Sequence, residues 1–485
     1  MQPRIDLLSP ALVTRVLDEA FQLMSEPGIK VLSNRAQILL KDAGAQVDSS
    51  AGIVRISEQI ARTALESTPK VFYLYDRVGR RAVTYGGETV QFDPGSSAVH
   101  VLDPDTLQHR SPRTQDLVRL VKIAEQLSEY DAQSTAVICD DVPKEVGDLY
   151  RLYIVLMHSI KPIVTGAFSI NTLEAMIDML ASLAGGRKEL AACPQGVFDV
   201  CPSPPLIWSS FGADNLITLA SAGVPAEIVS MPLAGAAAPV TLLGAITQHA
   251  AECLSGITIH QLANPGAPIV WGGAPAIFDM RKGTTPMGAV ETAMIDAAYA
   301  QVGKSLGLPT HCYLGASDSK LVDAQAGLES GMTALIGALA GINMISGAGM
   351  LDFLACQSAE KLVIDAEAIA MSKRLLAGLQ VRAGPLATTF FEGINFRGDF
   401  LKQKATRDLF HEEQYLPSAI IDRDSMRGWQ TAGSIDTFAR AKLRTEELLR
   451  AYVRPAIAVE YEVELSRRMQ SLATEAGMAH IPVPV

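Results

Sequence analysis

Aromatic residues make up only 6% of this 485-residue chain, and its six cysteines are widely scattered. Cys139, Cys193, Cys201, Cys253, Cys312 and Cys356 form no CxxC pair and no short-spaced set, which argues against a zinc site or a disulfide framework and for a reducing compartment. Basic residues are outnumbered, 41 Lys and Arg against 52 Asp and Glu for a net charge of −11, the opposite of a nucleic-acid footprint. No GxGxxG follows an early strand, so the dinucleotide fingerprint is missing. The opening MQPRIDLLSP lacks an apolar run and carries Asp6, so no secretory leader is expected. One uncharged stretch, 331–351, approaches the ~20 residues of a membrane span. Its glycines and the flanking Glu329 and Asp352 favour a buried helix followed by a strand. The expectation is a cytoplasmic protein with neither membrane nor nucleic acid as partner.

What is present is apolar: 48% against 19% charged, enough for a large core. Residues 1–132 read as an N-terminal extension of mixed type. LLSPALVTRVLDEAFQLM and SNRAQILLKDAGAQV have helical spacing, and short alternating strands separated by Gly, Pro and Asp turns follow between about 70 and 112. From 133 to 400, short β-rich strings (STAVICDD, PIVTGAF, GVFDVCPSPP, AEIVSMPLAG, PIVWGGAPAI, THCYLGASDS, NMISGAGM, LATTFFEG) alternate with helical runs. Eight such units predict an α/β chain folded as a TIM (β/α)8 barrel, its strands apolar because both faces are covered. Residues 401–485 are charged and helical, a C-terminal arm expected to pack on the barrel or on another subunit, with a homo-oligomer as the expected state.

Barrel chemistry sits where strands end, and most loop starts here are small. Gly315, Gly347 and Gly349 leave room for a bulky group to approach, or serve tight turns. The densest polar cluster is LGASDSKLVDAQAG, in which Asp318, Ser319 and Lys320 are the candidate reacting groups; capping the next helix is the other reading for Asp318 and Ser319. His311 and Cys312 are neighbours in a strand and point to opposite faces, so no metal site is expected there. Phe168, Trp208, Phe211, Trp271, Tyr313 and Phe391 fall near strand ends, where rings either pack the core or cage a quaternary ammonium. Arg281 is positioned to hold a carboxylate bidentately, or else lies on the surface.

The strings GAPIVWGGAPAIFDMRKG, GASDSKLVDAQAGLESGM, AGINMISGAGMLD, LYDRVGRRAVTYGG, FDPGSSAVHVLDPDT and KPIVTGAF resemble those of the trimethylamine methyltransferase superfamily over nearly the whole chain. The resemblance implies a barrel that moves a methyl group from a methylated amine to Co(I) of a corrinoid carried by a separate protein, with no tightly bound cofactor of its own. All residues are standard, so the chain resembles the branch without pyrrolysine, which implies glycine betaine as first substrate, or else proline betaine, carnitine or γ-butyrobetaine. In this reading the aromatic residues and Arg281 bind substrate, and the three glycines admit the corrinoid. The chain departs from the family in NFRGDFLKQKAT, where Asp399 and Ala405 stand in place of two histidines. Two other readings remain: a barrel that binds betaine without methyl transfer, and a lyase or hydrolase using Asp318 and Lys320.

Overall fold

The β-branched strings find their partners in one another. In this computed structural model, which describes residues 2–382, 384–393, 396 and 398–482, eight short strands run parallel around a closed barrel. They are β1 (Gln91–Pro94), β2 (Gln133–Ser134), β3 (Ile163–Thr165), β4 (Gly196–Val200), β5 (Ala226–Ser230), β6 (Ile269–Gly273), β7 (His311–Cys312) and β8 (Met344–Ala348). Strands β2 to β6 pair in order, and β7, β8 and β1 form a second run. Parallel bridges Trp271↔Thr310 and Ala98↔Val137 join the two runs.

A helix follows each strand: α1 (Thr114–Gln126), α2 (Gly147–His158), α3 (Ile170–Ala184), α4 (Ser210–Ala222), α5 (Leu242–Ala263), α6 (Val290–Ser305), α7 (Ala324–Leu339) and α8 (Ala359–Leu376). Ser169, Ser209, Thr241, Asp323 and Ser358 accept a backbone N–H at the starts of α3, α4, α5, α7 and α8, satisfying donors that the helix itself cannot.

The expected strand count is met with one exchange of members. LATTFFEG is not a strand: Thr388–Phe391 is a 3-10 turn without buried residues. Its place beside β8 is taken by β1, from the segment expected to be an extension. A run of Thr and Phe carries β propensity, but a barrel strand also needs two covered faces, and the 388–391 turn has none. The uncharged stretch 331–351 is the end of α7 followed by β8, and among the described residues no helix is long and apolar enough to cross a membrane.

The N-terminal end of the barrel is plugged by an antiparallel hairpin, Phe72–Tyr75 with Arg81–Tyr85. Phe72, Leu74, Val83 and Tyr85 pack against Val164, Val197, Val270 and Met344, the inward side chains of the first barrel layer. Outside, Pro10–Ser25 lies on α5, Thr437–Ala451 on α8 and α1, and Val459–Glu475 on α2. The C-terminal arm therefore packs on the barrel of its own chain.

Trp208 packs against α5, and a Cβ at Gly256 would collide with Trp208 Cζ2 and stand 2.8 Å from Ile228 Cδ1. In an exposed helix Gly→Ala stabilises by about 1 kcal/mol; here Gly256→Ala is expected to cost about 1–3 kcal/mol by overpacking, read from the urea midpoint.

Candidate active site

Residues two apart on a strand face the same side, so the layer above the valine plug is set by the next inward positions. These are not apolar. Asp199 follows Val197 on β4, and its register partner on β5 is Glu227. His311 and Tyr313 come from β7 and its end, Ser346 from β8, and Asp93 from β1.

The six join in one network. Tyr313 Oη donates to Asp199 Oδ2 at 2.8 Å, and the Asp199 carboxyl lies beside that of its register partner Glu227, whose ionisation it opposes. Glu227 Oε2 accepts from Tyr85 Oη of the plug at 3.0 Å, and its Oε1 lies 3.1 Å from His311 Nδ1. His311 Nε2 meets Ser346 Oγ at 3.0 Å, and Ser346 donates to Asp93 Oδ1. A Cβ on Gly272 would stand 3.0 Å from His311 Nδ1, so this glycine makes room for the imidazole.

Burial sets the protonation of the network. It pushes Asp93 and Glu227 well above the usual carboxylate range and Asp199 up to about 6, the Tyr313 hydrogen bond partly opposing the last. Burial also drives His311 down to about 3. With the Glu227 carboxyl and the His311 imidazole both held neutral, their 3.1 Å contact is not an ion pair. Two carboxyls side by side in low dielectric must also share a proton, so the Asp199–Glu227 pair carries at most one negative charge.

The network lies below an open mouth. Cys201, the next inward position after Asp199, is exposed, and Phe168 after β3 and Met231 after β5 are 47% and 42% exposed. Arg151 of α2 reaches to the same rim. Its Nη1 donates to Ser97 Oγ at 2.8 Å and to the Thr135 carbonyl at 2.9 Å, and its guanidinium lies 4.8 Å from the Phe168 ring centroid.

Of the residues proposed from sequence, Tyr313 and Phe168 are at this recess; most of the others have different work. Trp208 and Trp271 are fully buried, each indole N–H donating into a barrel helix, to Ser255 Oγ at 2.9 Å and to the Tyr299 carbonyl at 3.0 Å. Trp271 faces outward because inward and outward positions alternate along β6, whereas Trp208 belongs to a two-residue strand, Ile207–Trp208, that pairs with Ile29–Val31 outside the barrel. Phe211 is exposed at the start of α4, and Phe391 is exposed in the 3-10 turn. Arg281 clasps its neighbour Asp279 through Nε and Nη2, at 3.0 and 2.7 Å, with its side chain 87% exposed. That carboxylate two residues away satisfies it locally.

Asp318 is buried, accepts from the Met287 N–H at 2.8 Å and is raised to about 6 by burial. Lys320 Nζ donates to the Asp318 carbonyl at 2.6 Å and sits 3.8 Å from the Phe353 ring centroid. Neither Asp318 nor Ser319 caps α7; Asp323 does, and Ser319 Oγ donates to it. Gly315, Gly347 and Gly349 are buried. A Cβ on Gly347 would strike the Leu314 carbonyl, and Gly349 has φ +82° with Gln357 against it. Close strand approach and a tight turn account for these two. Asp399 begins a 3-10 turn and Ala405 lies on the helix Lys404–Glu413, neither in a strand.

Asp93, Asp199, Glu227 and Arg151 escaped the sequence reading. The available signal was a lone charge inside an apolar string: FDPG, GVFDVC, AEIVS and LYRLYIVLMH.

A parallel barrel with buried acids and phenols at its C-terminal mouth defines an enzyme scaffold. The family model for trimethylamine methyltransferase matches residues 1–475, and the chain belongs to that family of methyltransferases. It is 28% identical over 458 residues to a trimethylamine methyltransferase of Desulfitobacterium hafniense, covering 94% of this chain and 92% of that one. It is 29% identical over 477 residues to a glycine betaine methyltransferase of the same species, covering 98% of each. Among solved structures, monomethylamine methyltransferase of Methanosarcina barkeri matches at 12% identity and a TM-score of 0.49, over 91% of this chain and 87% of that one.

Proposed function

We propose that this protein transfers a methyl group from a quaternary amine, glycine betaine first among candidates, to the Co(I) of a corrinoid carried by a partner protein. The observation that carries the reading is the Asp199–Glu227–Tyr313 cluster under an open barrel mouth. A quaternary nitrogen has no proton to donate and is held by electrostatics and by ring faces. Asp199 supplies the charge, and Tyr313 and Phe168 the aromatic surface.

The same cluster explains why the cation is not over-bound. The nitrogen loses its positive charge as the methyl departs, so a site with several full charges would stabilise the substrate more than the transition state. One charge spread over a proton-sharing pair limits that penalty. The donors fixed by the plug and by β7 keep Asp199 and Glu227 oriented without reorganisation.

The corrinoid, once docked, supplies the Co(I) nucleophile that accepts the methyl. The mouth fits such a visitor: Phe168, Met231, Val240 and Met280 present exposed apolar surface there, and Val240 and Met280 flank Gly235. Rim apolar surface of this kind marks a protein contact. A cytoplasmic setting accords with six free cysteines.

The test is a spectroscopic assay with free cob(I)alamin across glycine betaine, proline betaine, carnitine, γ-butyrobetaine, choline and trimethylamine. Methylcobalamin is expected with at least one quaternary amine. Silence across the panel, with a betaine still raising the melting temperature, would replace transfer by binding alone.

A further inference from the structure

Arg151 is fully buried on α2, one turn after the equally buried Asp148. Among the described residues no carboxylate lies within ion-pair distance of it. The neighbouring acid, Asp148, is committed elsewhere: its Oδ2 accepts from the Phe168 N–H at 2.5 Å and Thr172 Oγ1 at 2.6 Å, and its Oδ1 from the Leu149 N–H at 2.8 Å. Nη1 is satisfied by Ser97 and Thr135. Nε and Nη2 are buried with no hydrogen-bond partner.

Those two nitrogens form one edge of the guanidinium, the edge whose parallel N–H bonds match a carboxylate. Arg281 uses the same edge on Asp279 in this very chain. Asp148 and Asp199 act on this charge only from beyond ion-pair distance; a buried guanidinium with two unpaired N–H groups is costly, and a negative group arriving at that edge lowers the cost.

We infer that Arg151 is the specificity residue of the recess, its Nε/Nη2 edge taking an anionic group of the substrate while the quaternary nitrogen lies toward Asp199 and Tyr313. This rests on the proposed function and deepens it. The substrate is then a zwitterion with a carboxylate or a group of like shape and charge, and the anchor is Arg151 rather than Arg281. The Phe168 ring, its centroid 4.8 Å from the guanidinium carbon, packs against this group and limits its movement.

Calorimetric binding of glycine betaine, choline and tetramethylammonium to the wild type, Arg151→Gln and Arg151→Lys tests this. Glycine betaine is expected to bind the wild type about 100-fold tighter than choline, and Arg151→Gln to lose about that factor for glycine betaine alone, as when one partner of a buried charge pair is truncated. Arg151→Lys restores the charge but not the fork and recovers only part. Tetramethylammonium affinity stays unchanged in both variants. The ligand-free melting temperature of Arg151→Gln is expected to hold or rise, which a merely structural arginine would not allow.

Choline binding as tightly as glycine betaine in the wild type overturns the inference, and needs no variant. So does an equal loss of tetramethylammonium and glycine betaine in Arg151→Gln. A wild type that binds tetramethylammonium but no carboxylated amine overturns the role of Arg151 and leaves the methyltransferase reading standing. A wild type that binds no quaternary cation overturns both.

Discussion

Asp199→Asn is expected to lower kcat/KM for methyl transfer from the active quaternary amine by about 100-fold, as removal of one partner of a buried, oriented charge does. The substitution keeps the shape and leaves an oxygen for Tyr313 to donate to, so the loss reports charge. The pH dependence has a definite sign. Asp199 is neutral below about 6 because burial opposes ionisation. A bound cation favours the carboxylate, so binding releases a proton in that range and tightens as pH rises through about 6, then levels off. Asp199→Asn should flatten the profile. Stability moves the opposite way: the folded protein holds this proton more tightly than the unfolded chain, so the contribution of Asp199 is present in acid and is lost as pH rises through about 6. Binding that strengthens toward acid would overturn the assignment. Arg281→Ala, in the exposed pair with Asp279, serves as the control and should leave activity unchanged.

The second large effect is on stability. Lys361 and Asp365 form an i,i+4 ion pair at 2.5 Å on α8, with side chains only 1% and 5% exposed. Lys361 Nζ also donates to Ser330 Oγ at 2.7 Å, and Asp365 Oδ2 accepts from the Gly349 N–H at 2.7 Å, so the pair pins the turn after β8 to two helices. Lys361→Ala strands a carboxylate in the core and is expected to cost about 3–5 kcal/mol, read from urea unfolding. Burial already pushes Asp365 above its usual range even with Lys361 beside it. The double variant Lys361→Met with Asp365→Leu removes both charges and should recover most of that loss. A double variant as unstable as the single would mean that the Gly349 hydrogen bond, rather than the charge balance, holds the turn.

The comparison of the two arginines shows where reading along the chain succeeds and stops. Arg281 drew attention because it follows a strand end, yet Asp279, two residues before it, already satisfies it. Arg151 stands in LYRLYIVLMH among residues that can only be buried, and a charge there has no neutral explanation. Position relative to a strand is a weaker signal than a charge surrounded by apolar neighbours. Asp199 in GVFDVC and Glu227 in AEIVS carry that same signal.

By itself the sequence determined the alternation of strands and helices and therefore the barrel, because periodicity and burial on both strand faces are properties of consecutive residues. It also carried the family in long ordered strings. Tertiary structure alone decided that β1 rather than the 388–391 turn closes the barrel, since closure depends on which segment covers both of its faces. It alone decided that Trp271 faces outward and that Trp208 packs outside the barrel against α5. The meeting of Asp93, Asp199, Glu227, His311 and Tyr313 was likewise settled only there, because barrel register brings together inward side chains spread from residue 93 to residue 313.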